Sequence, residues 1–139
     1  YIVGRNPVDS VVRLASEEHG IIVTGSVPDT RPYVESAACA VVPIRIGGGT
    51  RLKIYELMSM GKAVVSTRIG AEGLDYLEGE NIIIADEPDD FALAVTRVLE
   101  GENLRREIGE KARSYVVANC SWDVVSDRFV DMLSRAGER

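Results

Sequence analysis

The stretch Val41-Val-Pro-Ile-Arg-Ile-Gly-Gly-Gly-Thr-Arg-Leu-Lys-Ile-Tyr-Glu56 runs from an apolar strand through three consecutive glycines straight into a helix. Three glycines let a backbone approach a ligand without side-chain interference, and the free N–H groups and dipole of a first helical turn favour an anion. Arg51 and Lys53 fall in that same turn, where a cation is unfavourable for the helix unless something negative offsets it. The plainer reading of Gly47, Gly48, Gly49 and Thr50 is a flexible turn with a helix cap, but three glycines are hard to order for a turn alone. Two phosphate motifs are excluded. No Gly-x-x-x-x-Gly-Lys-Ser/Thr string exists, and Leu52 stands where a dinucleotide fingerprint needs its third glycine.

Outward from this stretch, short Val- and Ile-rich runs alternate with helical patterns, the signature of βαβ units and an α/β fold with a parallel sheet covered on both faces. The runs predict strands at Tyr1–Val3, Ile21–Thr24, Ala40–Val42, Ala63–Ser66 and Ile82–Ala85. Helices are predicted at Pro7–Glu18, Arg31–Ala37, Arg51–Met60, Asp89–Glu100, Asn103–Val117 and Trp122–Arg135. Asn6 with Pro7 reads as the start of the first helix, and Ser121 as the cap of the last. Open α/β sheets bind ligands beyond the carboxyl ends of their strands, so chemistry is expected in the loops Gly4–Asn6, Gly25–Thr30, Ile44–Thr50 and Thr67–Gly73.

The formal charge of −6 argues against a nucleic-acid binder, whose footprint is basic. The charge is unevenly placed: Pro43–Ile69 carries +4, leaving −10 elsewhere, which suits a small anionic ligand on an acidic protein. Cys39 and Cys120 match no disulfide framework or zinc pattern, and no metal site is expected. No apolar run approaches a membrane span, so the default location is cytoplasmic. Residues 1–139 read as one domain that opens in mid-strand at Tyr1, a piece of something longer.

Glu56 interrupts a helix whose Ile54, Leu57 and Met58 form a core-facing stripe, and a carboxylate near a core needs a partner. Lys53, three residues back, is one candidate. The other is a ligand: six residues at 1.5 Å each place Glu56 roughly 9 Å along the helix from Thr50, within reach of ribose hydroxyls if a diphosphate sits at the helix start. His19 reads as a solvated or capping residue, and Glu72 either touches ligand or makes a loop hydrogen bond.

The series Gly-Gly-Gly-Thr-Arg-Leu-Lys-x-x-Glu, followed by Met-Gly-Lys-Ala-Val-Val-Ser-Thr and by Ile69-Gly-Ala-Glu-Gly-Leu74, resembles the C-terminal, donor-binding domain of GT-B-fold glycosyltransferases of family four. Gly25-Ser-Val27-Pro-Asp29 and Ser121-Trp122 carry the same likeness. The resemblance covers nearly the whole chain. It implies a Rossmann-like three-layer αβα half that holds a nucleotide-diphosphate sugar, lacking its first strand and facing an absent N-terminal half that takes a sugar or glycolipid acceptor.

By that resemblance, Glu56 corresponds to the second glutamate of a Glu-x7-Glu motif that binds the donor ribose. Gly49, Thr50 and Arg51 correspond to the diphosphate cradle, and Ser26–Val27 to the loop against the nucleobase. The first glutamate of the motif falls at Gly48, so its contact with the transferred sugar is absent. Arg51 and Lys53 then stabilise the leaving diphosphate, with configuration retained and no cofactor required. The intact enzyme is expected to work in polysaccharide or glycoconjugate synthesis, in the cytoplasm or peripherally at the inner face of a membrane, and this chain alone is expected to be inactive. Trp122, Phe129 and Met132 on the last helix are expected to present apolar surface, making self-association of the isolated chain a hazard. A nucleotide-sugar epimerase and a non-catalytic nucleotide-binding or assembly module remain alternatives.

Overall fold

A computed structural model describes residues 1–17 and 20–137, so His19 lies outside the described residues. The chain divides into two compact units, Tyr1–Ala37 and Ala38–Arg139. In the first, β1 (Ile2–Val3) pairs in parallel with β2 (Val23–Gly25), and α1 (Asp9–Glu17) and α2 (Arg31–Ser36) follow the two strands in turn. The first helix does not start at Asn6 and Pro7 as its sequence suggests. Its opening bonds run from the N–H groups of Val11 and Val12 to the Val8 carbonyl, at 2.9 and 3.1 Å. Asn6 instead sits at φ 49°, a left-handed turn that asparagine tolerates better than most residues. Ahead of α2, the Asp29 carboxylate accepts the Arg31 backbone N–H at 2.9 Å and pairs with its guanidinium.

The second unit holds β3 (Cys39–Val42), α3 (Leu52–Ser59), β4 (Ala63–Ser66), β5 (Ile83–Ile84), α4 (Pro88–Glu100), α5 (Glu102–Asn119) and α6 (Trp122–Gly137). Its strands are all parallel in the order β3–β4–β5, with Cys39 opposite Ala63, Val42 opposite Ser66 and Val65 opposite Ile83. All four residues of the central β4 are buried. Side-chain alternation along a strand then makes two cores. Val64 packs with Ile54 and Met58 of α3 and with Ala112 and Val116 of α5. Ala63 and Val65 pack with Ala94 and Val98 of α4 and with Ile108 of α5. A continuous apolar run buried on both faces is what a parallel strand between helical layers requires.

Two close approaches hold α3 in place. Its end is a Schellman turn: the Lys62 N–H donates to Leu57 O at 3.1 Å and the Gly61 N–H to Met58 O at 2.9 Å, with Gly61 at φ +69°. The backbone of α5 rests on that turn, since a Cβ added at Gly109 would lie 2.1 Å from the Gly61 carbonyl oxygen. Beyond α5, the Ser121 hydroxyl accepts the Val124 N–H at 3.4 Å, the cap expected for the last helix. No residue of α6 is buried, and Trp122 is 86% exposed. Phe129 and Met132 are exposed as well.

Candidate functional site

The carboxyl ends of β3, β4 and β5 carry three loops that hydrogen bonds tie to one another. Thr67, which follows β4, is at the centre. Its hydroxyl donates to the Ile44 carbonyl of the β3 loop and accepts the Gly70 N–H at 2.9 Å. Its own N–H donates to Val42 O at 3.2 Å. Gly70 allows this closeness, because a Cβ there would lie 2.7 Å from Val42 O and 2.5 Å from the Ser66 hydroxyl. On the other side, Asp86 after β5 accepts the Arg68 backbone N–H at 2.7 Å. The Arg68 guanidinium stands between Asp86, at 3.7 Å, and Glu78, at 3.5 Å.

The glycine loop enters the same assembly through Arg51. Rather than lying in the first turn, Arg51 occupies the position just before α3, and its carbonyl accepts the Ile54 N–H at 2.9 Å. Its guanidinium donates to Gly47 O at 2.7 Å, to Gly48 O at 3.2 Å and to Ile69 O at 3.2 Å. Three neutral carbonyls thus surround the cation. The side chain braces the glycine loop and fastens it to the loop after β4. Gly49 takes φ +94°, a conformation that requires glycine. Next to it, Thr50 leads exposed into the helix start.

Lys53 and Glu56 both point to solvent from α3 and form no ion pair with each other. The expectation that Glu56 lies near the core is therefore corrected, and of its two candidate partners Lys53 is not engaged. Ile54 and Met58 are buried at 1% and 0% exposure, and Glu56, two residues from each, lies about 200° around the helix from both. Ser26 and Val27 follow β2 in the first unit, with Ser26 exposed and Val27 half-buried.

Between the three loops opens a cleft of about 610 Å³, a size common for small-molecule sites. Ile44 and Arg45 line it from the β3 loop, Thr67, Arg68, Ile69 and Glu72 from the β4 loop, and Asp86 and Glu87 from the start of α4. The sequence reading named the first two loops and missed Asp86 and Glu87. Their signal was present: they directly follow a predicted strand and precede Pro88, a residue suited to a first helical turn.

Below α3, the Tyr55 hydroxyl donates to Asp75 O at 3.2 Å and accepts the Asp75 N–H at 3.0 Å. Burial pushes its pKa up to about 12, against a smaller opposing effect of the Asp75 backbone bond. Among the described residues, no cluster of three or more His, Cys, Asp or Glu side chains is placed to hold a metal ion. Among the same residues, no helix is long and apolar enough to cross a membrane.

Residues 1–101 match the family described as Glycosyl transferases group 1. The chain belongs to that family. Among its curated relatives, an uncharacterised glycosyltransferase of Methanocaldococcus jannaschii is 31% identical over 80 residues, 55% of this chain and 20% of the relative. The lipopolysaccharide 1,2-N-acetylglucosaminetransferase of Salmonella typhimurium is 27% identical over 117 residues, 81% of this chain and 30% of the relative. The crystal structure of TarM superposes with a TM-score of 0.68 at 17% identity, covering 94% of this chain and 27% of that one. That likeness establishes the fold: a Rossmann-like α/β arrangement of the kind found in the C-terminal half of GT-B glycosyltransferases. The chain therefore spans less than a third of the length of these glycosyltransferase relatives.

Proposed function

We propose that the intact protein transfers a sugar, with retention of configuration, from a nucleotide-diphosphate sugar to a sugar or glycolipid acceptor, and that this chain is its donor-binding half. One observation carries the reading. A braced glycine loop opens α3 at the carboxyl end of β3, and α3 presents Lys53 and Glu56 to solvent with no ion pair among the described residues. Backbone N–H groups at a helix start are suited to a diphosphate. As the anomeric bond breaks, negative charge grows on that diphosphate, and fixed donors aimed at it lower the barrier. Lys53 adds a cation directly, whereas Arg51 contributes by holding the loop. Glu56 accepts hydrogen bonds from the ribose.

This charge stabilisation assigns no role to a metal or other cofactor. A place in glycoconjugate synthesis is supported by the name of the Salmonella relative, and the reaction is placed in the cytoplasm, at the inner face of a membrane where the acceptor is a lipid. The test is Glu56→Ala in the intact protein. Loss of a charged hydrogen bond to the ribose predicts a fall in kcat/KM of about tenfold or more. Unchanged donor affinity and turnover would remove Glu56 from the site. Calorimetric titration with UDP, GDP and ADP sugars identifies the base, and failure of every one to bind refutes the donor-binding reading.

A further inference from the structure

The first turn of α3 is tied twice to the segment that follows β4. At its head, the Arg51 guanidinium donates to Ile69 O at 3.2 Å. About one helical turn later, Tyr55 reaches the far end of the same segment, where its hydroxyl donates to Asp75 O at 3.2 Å and accepts the Asp75 N–H at 3.0 Å. Asp75 belongs to no strand or helix, so a single phenol satisfies both backbone groups of a residue that no ladder pairs.

These ties do something the packing beneath them does not. Ile54 and Met58 anchor α3 in the core, but apolar burial is non-directional and methionine adapts its shape to its surroundings. Hydrogen bonds favour a narrow range of angles, so the Tyr55 hydroxyl fixes how far α3 turns about its own axis. That angle matters to the next residue. Glu56 stands on the exposed side of α3. With side chains a helix has a radius of roughly 5–6 Å, so a turn of about 10° carries a group at its surface roughly 1 Å sideways. A displacement of that size is enough to spoil a contact with a ligand.

We infer that Tyr55 is a positioning residue: by holding Asp75 it sets the rotation of α3 and so aims the Glu56 carboxylate at the ribose of the donor. The inference rests on the donor-binding reading, which supplies the ribose. Tyr55 touches no part of the ligand, and its effect passes through Glu56.

The test is a double-mutant cycle on the intact protein, read by calorimetric titration with UDP, GDP and ADP, the tightest-binding of the three being carried through the series. Glu56→Ala is expected to weaken that nucleotide by about tenfold. Tyr55→Phe keeps the ring and removes only the hydroxyl, and it is expected to weaken binding by about fivefold with an unchanged number of sites per chain. Added to Glu56→Ala, it is expected to change affinity by less than about twofold, since no carboxylate remains to be aimed. Tyr115→Phe is the control, because Tyr115 packs against the same core and its hydroxyl makes no hydrogen bond among the described residues. It leaves affinity unchanged in either background. A fivefold loss that persists in the Glu56→Ala background, or a loss of sites at unchanged affinity, marks Tyr55 as structural only and overturns the inference. Full affinity in Tyr55→Phe also overturns it, while leaving Glu56 at the ribose. If Glu56→Ala binds as tightly as the wild type, or none of the three nucleotides binds, the donor reading and the inference fall together.

Discussion

Replacing Thr67 by valine deletes one oxygen and preserves the β-branched shape, so its effect reports on hydrogen bonding with little change in packing. Thr67 is only 5% exposed. Its hydroxyl is the partner of two backbone groups, the Ile44 carbonyl and the Gly70 N–H. The variant strands both. Each buried polar group left without a partner costs about 1–3 kcal/mol, and the valine recovers part of this because no hydroxyl need be desolvated. The expected loss is therefore about 2–4 kcal/mol, a large share of the roughly 5–15 kcal/mol that holds a domain folded. Urea unfolding followed by circular dichroism should show the midpoint falling by about 1–2 M. Thr67→Ser keeps the oxygen and loses only a methyl, so it should stay within about 1 kcal/mol of the wild type. If Thr67→Val unfolds within about 0.5 kcal/mol of the wild type, the hydroxyl does not join these loops and the account of the cleft floor fails.

Gly109→Ala sets a gain of roughly 1 kcal/mol in helix propensity against a Cβ placed 2.1 Å from the Gly61 carbonyl oxygen. Because that neighbour is backbone, overpacking should win by about 1–3 kcal/mol in urea unfolding, and a stabilised variant would refute the close approach of α5 to the α3 turn. Tyr55 gives a pH signature. Burial raises its folded pKa to about 12, above the unfolded value near 10, so the folded state keeps the phenolic proton longer. Stability should thus hold below about pH 10 and fall as pH rises from there through about 12. Urea midpoints measured across that range should show a smaller decline for Tyr55→Phe, and an identical decline would mean that Tyr55 is not the titrating group.

Much of the fold was legible because burial leaves a pattern. Ala63–Ser66 is a run of small and β-branched residues, and the strand has those same limits since neighbours cover both faces. The face formed by Ile54 and Met58 was legible for the same reason. Other features depended on partners distant in sequence. The guanidinium of Arg51 binds Ile69, 18 residues away, and no local pattern announces a carbonyl that has turned to meet it. Glu56 was misplaced towards the core by attention to its neighbours, although its angular position already set it opposite Ile54 and Met58. At Asn6 a cap-forming residue type serves a left-handed turn, because the backbone enters the helix two residues later than Pro7 suggests.

The bracing of the glycine loop by Arg51 also bears on the kinetics of recognition. A run of three unrestrained glycines would sample many shapes, and an arriving ligand would have to wait for, or induce, the one that fits. With two of the loop's carbonyls held by a guanidinium anchored at Ile69, the loop's shape is selected during folding. Encounter then becomes a docking event onto a preformed surface, and differences among ligands should emerge in how long they stay rather than in how fast they arrive.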